Sequence, residues 1–149
     1  MLALYHTTLA HLFPFTVIDR RAGSRELREK RPFVWKATMT AAYHLDGPRQ
    51  MALGNALLRD IMEAALLKPK KDIDLLQGLQ LFICWFHYNL NSFQLTNLVF
   101  LCRSICSSLG LTESTHLNSV RGNLDQFTPK CLDNMRALLG TYYIVTTFV

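Results

Sequence analysis

The sequence predicts an all-α protein, an array of about five to six helices around a central antiparallel helical hairpin. Apolar residues recur at intervals of three and four in several segments, and this spacing places them on one face of a helix. The strongest pattern covers residues 73–111 and is interrupted by a polar break at residues 89–92. Because a short connection joins the two helices on either side of that break, we expect them to run antiparallel.

The first helix of the hairpin is expected to be buried on nearly every side. Asp72 is a suitable N-cap residue, and Leu81, Phe82 and Trp85 extend the apolar surface around the helix. The main stripe consists of Leu75, Leu76, Leu79, Ile83, Phe86 and Leu90. A helix that is apolar all round is typical of the interior of a protein.

The second helix carries a narrower apolar stripe and a clear stop signal. Gly110 is the expected C-terminal cap residue, since glycine adopts the left-handed conformation that commonly ends a helix. The stripe consists of Leu95, Leu98, Val99, Cys102, Ile105, Cys106 and Leu109.

The segments that precede the hairpin are expected to pack against it. Residues 2–12 predict a short helix that ends before Pro14, and residues 13–18 predict an extended strap across the helical core. The apolar side of the short helix consists of Leu2, Tyr5, Leu9 and Leu12. Ser24 is expected to cap a helix that begins at Arg25 and stops or kinks at Pro32.

Two further helices are expected before the hairpin and one after it. Residues 33–44 are predicted to form a buried helix. Pro48 is expected at the first position of the following helix, which ends near Lys68. Residues 112–126 predict a loop, after which Thr128 caps a helix that continues towards Gly140. Residues 141–149 are almost wholly apolar with no stop signal, so we expect a buried element that is truncated, and we interpret residues 1–149 as a single helical domain fragment.

The net charge of +5 arises mostly from residues 20–31 and 68–71. Glu26 and Glu29 lie among the arginines at helical spacing, which indicates a solvated helix face held by salt bridges. A patch that binds nucleic acid or an acidic partner is the alternative. Since no aromatic residues alternate with the arginines, base stacking is not expected.

Cysteine usage and hydropathy favour a soluble intracellular protein. The cysteines lie inside apolar patterns, as expected of small core residues in a reducing compartment. They are Cys84, Cys102, Cys106 and Cys131. The N-terminus lacks the basic region of a signal peptide, and the most apolar stretch, residues 79–86, is far shorter than the roughly 18 residues of a membrane span.

No catalytic, cofactor-binding, metal-binding or DNA-binding residue is assigned, and an enzyme is not expected. The histidines His6, His11, His44, His87 and His116 show no zinc-ligand spacing. His87 is interpreted as a hydrogen-bonded core histidine; an enzyme would need a carboxylate such as Asp74 or Asp125 beside it. Asp72 and Asp74 are better explained as helix-capping residues than as an acid–base pair. Trp35 and Trp85 are interpreted as core residues rather than as the lining of a cofactor pocket, with a cavity between buried helices that holds a small apolar ligand as the alternative.

Several short segments follow one another in a distinctive order. They are 13–18 (FPFTVI), 29–39 (EKRPFVWKATM), 74–80 (DLLQGLQ), 85–88 (WFHY), 94–98 (QLTNL), 109–111 (LGL) and 136–143 (RALLGTYY). In this order they resemble the regulatory, or middle homology, region of fungal binuclear zinc-cluster (Zn2Cys6) transcription factors. The matching segments span nearly the whole chain.

The resemblance implies an all-helical regulatory region that modulates transcription in the nucleus. In that family a DNA-binding zinc cluster with two C-x2-C-x6-C runs precedes the helical region, and the four cysteines here have no such spacing. Zinc and DNA contacts are therefore expected only in a module that this sequence lacks. We expect protein partners or self-association, with a small-molecule effector as an addition and no membrane contact. The alternative function is a stand-alone helical interaction module, in which the apolar C-terminus is a dimer or partner surface.

Overall fold

The computed structural model describes residues 1–67, 72–111 and 128–148. These residues form seven α-helices and no strand, so the all-α prediction is confirmed and the predicted number of helices is slightly low. The helices are α1 (Leu2–Leu4), α2 (Ser24–Lys30), α3 (Pro32–Ala42), α4 (Gly47–Met62), α5 (Ile73–Phe86), α6 (Ser92–Ser108) and α7 (Pro129–Phe148). One of these helix boundaries is due to Pro32, which separates α2 from α3. Arg31, immediately before it, is not in the helical conformation.

The N-terminal helix is less regular than predicted. After α1 the chain widens into a π-helical turn (Tyr5–Leu9) and then tightens into a 3₁₀ turn (Ala10–Leu12). Tyr5 and Leu9 are buried, but Leu12 is 58% exposed, so its predicted place on the buried side is wrong. The change of helical pitch rotates the later residues away from the core.

The strap at residues 13–18 lies against the core as predicted. Phe13, Thr16 and Ile18 are buried. The Phe13 and Phe15 rings pack edge to face with centroids 5.1 Å apart, and Tyr143 of α7 lies 5.5 Å from the Phe15 ring. The strap therefore contacts the last helix of the described chain.

Ser24 does not cap α2, contrary to the prediction. Gly23 occupies the N-cap position, and the Ser24 hydroxyl accepts a hydrogen bond of 3.1 Å from the Trp35 indole N–H. The salt-bridged face of α2 is confirmed: Arg25 pairs with Glu29 at 3.1 Å, and Lys30 pairs with Glu26 at 2.7 Å.

The predicted cap Asp72 is confirmed. Pro48 is the second rather than the first residue of α4, and the capping residues of α4 and α6 were not predicted. Asp46 accepts the backbone N–H of Arg49 at the start of α4, and Asp72 accepts that of Asp74 at the start of α5. Asn91 and Gln94 form a reciprocal capping box at the start of α6. The predicted end of α4 near Lys68 and the loop at residues 112–126 lie outside the described residues.

Helix α5 is the centre of the array. Residues 74–83 are all buried, and α5 contacts α3, α4, α6 and α7. The hairpin partner α6 buries the predicted stripe around Cys102, and Gly110 ends it with a φ of 70°. The largest helix contact of α5 is nevertheless with α3, so a hairpin alone does not describe the core.

Helix α7 passes through Gly140, the residue towards which the sequence predicts a helix. It continues to Phe148, because Gly140 packs in helical conformation against Gln80 and Phe15. Residues 141–148 are only partly buried: Ile144 lies in the core, whereas Tyr142 is 47% and Tyr143 44% exposed. No helix among the described residues is both long and apolar enough to cross a membrane.

Candidate functional site

Three polar side chains on α5 are buried in the centre of the protein. Asp74, Gln77 and Gln80 are 4%, 1% and 0% exposed. Their spacing of three residues places them along one side of the helix. A buried polar group is costly unless it is hydrogen-bonded, so the partners of these residues decide which segments α5 can hold. We call these three residues the α5 polar row.

Asp74 caps a helix other than its own. Its Oδ2 accepts the Phe33 backbone N–H at 2.9 Å, and its Oδ1 accepts the Val34 backbone N–H at 3.0 Å. The first N–H groups of a helix have no partner within that helix, and no side chain of the preceding residue, Arg31, caps α3. Asp74 supplies the cap from about 40 residues away in sequence, so it fastens the start of α3 to α5.

Gln77 connects the strap to the same junction through Arg31. The Arg31 guanidinium donates one hydrogen bond to Gln77 Oε1 and another, of 3.1 Å, to the carbonyl oxygen of Val17. A single arginine therefore joins the strap, the α2–α3 boundary and α5. Its positive charge also lies close enough to Asp74 to favour the ionised carboxylate.

Gly78 allows the backbones of α3 and α5 to approach closely. A Cβ atom at this position would lie 2.6 Å from Phe33 Cβ and 2.8 Å from the Phe33 carbonyl carbon. Because the obstacle is largely backbone, only glycine fits while Asp74 remains within hydrogen-bond distance of α3.

Gln80 fastens α7 to α5. Its amide N–H groups donate to the carbonyl oxygen of Ala137 at 2.7 Å and to the Thr141 hydroxyl at 2.9 Å. Gly140 lies between these two residues, and a Cβ there would meet Gln80 Oε1 at 2.8 Å. The contact between α5 and α7 thus depends on a glutamine and a small residue facing each other.

Burial raises the pKa of the Asp74 carboxyl, and the nearby charge of Asp72 adds to this rise. The two backbone N–H groups and Arg31 act in the opposite direction and offset part of it. The hydrogen bonds to Asp74 therefore compensate only in part for the removal of its charge from water.

A pocket of about 360 Å³ lies between α3 and α4. Its apolar wall includes Trp35, Met39 and Leu53, and at its polar edge Lys36 pairs with Asp60 at 2.7 Å. This α3–α4 pocket is a cavity between helices of the kind that the sequence offers as an alternative site for a small apolar ligand. Trp35 lines it and Trp85 does not.

The residues considered for acid–base chemistry are not brought together. His87 follows the end of α5, where its Nδ1 lies 3.1 Å from the Cys84 carbonyl oxygen and its ring contacts Phe148. Asp74 is at the opposite end of the helix, about 20 Å away at 1.5 Å per residue. Asp125 lies outside the described residues.

The four cysteines are free thiols, and the predicted place in the core is confirmed for two of them. Cys102 and Cys106 are buried, and Cys84 and Cys131 are partly buried. Burial raises the pKa of Cys102 to about 12 and that of Cys84 to about 12, so both thiols stay protonated at neutral pH. Within the described ranges no three His, Cys, Asp or Glu side chains form a group that could hold a metal ion.

The sequence is similar to a fungal transcription factor. It is 26% identical over 145 residues to transcription factor himD of Aspergillus japonicus. The similar region covers 93% of this chain and 24% of that protein, so the chain spans about a quarter of the length of this curated relative. No family model matches the sequence, and no solved structure matches it.

The α5 polar row brings together the segments on which the resemblance depends. The segment around Arg31 and Phe33 meets Asp74 and Gln77, and the segment around Gly140 meets Gln80. Sequence reasoning identified Asp74 only as a residue of the first turn of its own helix and missed its role in capping α3. The available signal was the absence of a capping side chain before Pro32.

Proposed function

We propose that this chain is part of the helical regulatory region of a fungal zinc-cluster transcription factor and contributes to transcription regulation in the nucleus. In this proposal it acts through protein contacts, carries out no catalysis and has no DNA-binding module of its own. Zinc would belong to the cluster of the longer protein and not to these residues. The similarity to transcription factor himD supports a role in transcription.

Three segments of the chain are joined to α5, and this is the structural observation that supports the regulatory proposal most strongly. Asp74 joins α3 to α5, Gln80 joins α7 to α5, and Gln77 joins the strap to α5 through Arg31. A partner that binds one of these segments therefore acts on a helix that also holds the others. A helix that joins several segments can couple the binding of a partner at one surface to the structure of another surface.

A small-molecule effector is an addition to this proposal. The α3–α4 pocket, at about 360 Å³, falls in the range of about 300–1,000 Å³ that is usual for ligand sites. Its mostly apolar lining with a few charged groups suits a small apolar molecule that carries a polar substituent.

The second candidate function is a stand-alone helical interaction module. Two aromatic side chains on α6 favour it: Phe93 is 75% exposed and Phe100 is 53% exposed. They are seven residues apart and thus lie on the same face of the helix. Large exposed aromatic residues on one face are typical of a surface that meets another protein.

A tethered reporter assay tests the leading proposal. The chain is fused to an unrelated DNA-binding domain upstream of a reporter gene in a fungal cell, and we expect a change of at least about threefold in reporter expression. Gly23→Ala, at an extended position where a Cβ meets nothing within 4 Å beyond its chain neighbours, should keep this effect, whereas Gly78→Ala should abolish it. Immunoblots establish equal amounts of fusion protein.

One result would contradict a regulatory role. If the fusion accumulates normally and the reporter stays at the level given by the DNA-binding domain alone, the chain does not regulate transcription by itself. This outcome would favour the stand-alone interaction module.

A further inference from the structure

A groove of about 690 Å³ lies between the strap, α2 and α7. Its lining includes the five cationic residues Arg20, Arg21, Lys30, Arg31 and Arg136. It also includes the carboxylates of Asp19, Glu26 and Asp133. We call this feature the basic groove. Its cationic excess concentrates much of the positive charge of the chain on one surface.

Most of the charges in the groove already have partners. Glu26 pairs with Lys30 at 2.7 Å, and Asp133 contacts Arg136 at 3.5 Å. The Arg31 guanidinium donates hydrogen bonds to Gln77 and to the Val17 carbonyl oxygen. Asp19 Oδ1 accepts the backbone N–H of Arg21 at 2.8 Å and thus turns the chain at the rim.

Two cations in the groove have no such partner. The guanidinium groups of Arg20 and Arg21 form no ion pair with any residue in the described ranges, and both side chains are exposed. They lie next to each other at one rim, where they can each donate a bidentate hydrogen bond to a carboxylate.

The groove also offers an apolar surface next to these arginines. Ile18 and Leu27 are buried beneath it, while Val17 is about half exposed at its edge. A ligand that fits must therefore combine negative charge with apolar side chains.

We propose that the basic groove binds an acidic peptide segment of a partner protein, with carboxylates on Arg20 and Arg21 and apolar side chains on Val17. A nucleic-acid backbone fits less well, because it offers phosphates but no apolar side chain for the Val17 edge of the groove. Among the described residues, the groove lining also contains no aromatic side chain on which a base could stack. Alternating acidic and apolar groups match both features of the groove.

This inference deepens the proposed function, because it states the chemistry of the partner. Arg31 lines the groove and also contacts Gln77 of α5, so a bound peptide would lie directly against the junction that holds the strap. The binding is nonetheless tested with the purified chain, and so it can fail or succeed independently of the reporter assay.

Fluorescence anisotropy with the full 149-residue chain provides the test. The probe is a fluorescein-labelled peptide in which aspartate and leucine alternate, and the control peptide has asparagine in place of aspartate. Arg20→Ser/Arg21→Ser should lower the affinity for the acidic peptide about tenfold, since two charge pairs are lost. The matched variant Arg59→Ser/Arg103→Ser removes the same charge from exposed positions on α4 and α6 outside the groove. Its affinity for the acidic peptide should differ from that of the wild type by less than about twofold.

Three results would overturn the proposal. The first is equal loss of affinity in both double variants, which would indicate attraction to net charge alone. The second is equal binding of the asparagine peptide. The third is displacement of the labelled peptide by duplex DNA at a lower concentration than by unlabelled peptide, which would make the groove a nucleic-acid site. Circular dichroism checks that both variants remain helical.

Discussion

Replacing Gly78 with alanine is expected to destabilise the chain by about 3 kcal/mol, the upper range for overpacking a core. In a helix interior the same substitution normally stabilises by about 1 kcal/mol, so the expected effect has the opposite sign. The reason is the close approach of α3: a Cβ at position 78 would lie 2.6 Å from Phe33 Cβ. Relieving that contact moves Phe33 and Val34 away from the Asp74 carboxylate. Urea unfolding followed by circular dichroism measures the change in the free energy of unfolding.

Gly23→Ala is the matched control for this substitution. A Cβ at Gly23 meets no atom within 4 Å beyond its chain neighbours, and the extended backbone there (φ -68°, ψ 155°) suits alanine, so the variant should lose no more than about 1 kcal/mol, the difference between glycine and alanine as N-cap residues. If Gly78→Ala behaves like Gly23→Ala, α3 and α5 do not approach each other as closely as described.

Replacing Asp74 with alanine is expected to cost about 3 kcal/mol, because it leaves two buried N–H groups unpaired and removes the carboxylate beside Arg31. Asp72→Ala is the control, since Asp72 caps only its own helix and its loss should cost about 1 kcal/mol. Equal effects of the two substitutions in chemical denaturation would contradict the role of Asp74 in fastening α3.

The effect of Asp74→Ala should also depend on pH. Burial raises the pKa of Asp74 above its ordinary value of 3.8, so the folded chain binds this proton more readily than the unfolded chain. The contribution of Asp74 to stability is therefore full below that ordinary value and declines as the pH rises through the raised pKa. The difference in unfolding free energy between wild type and variant should be larger near pH 4 than at pH 7. A difference that instead grows with pH would indicate that the N–H groups and Arg31 lower the pKa.

The features that sequence alone could predict are local ones. Asp72 and Thr128 mark helix starts because each side chain accepts an N–H group two or three residues later. Pro48 marks one because its fixed φ suits the first turn of a helix. Likewise, the apolar stripe around Cys102 follows from helical spacing alone. Gly110 shows that a stop signal can also be recognised locally, when the residue adopts a positive φ.

The features that sequence could not predict depend on distant partners. Asp74 lies in the first turn of its own helix, where an acidic residue is common, and this conceals its contact with Phe33, about 40 residues earlier. Gly140 lies inside α7 and packs against Gln80, a residue far from it in the sequence. The resemblance to zinc-cluster transcription factors grouped the right segments without indicating which side chains join them.

Amide hydrogen exchange of the folded chain tests most directly whether α5 organises the array. We expect the amides of residues 75–83 to exchange most slowly, through global unfolding only, and those of the exposed helix α2 to exchange much faster. The amides of Phe33 and Val34 should be protected as strongly as α5, because they donate to Asp74. Rapid exchange of the α5 amides, or of Phe33 and Val34 while α5 stays protected, would contradict a core held by the α5 polar row.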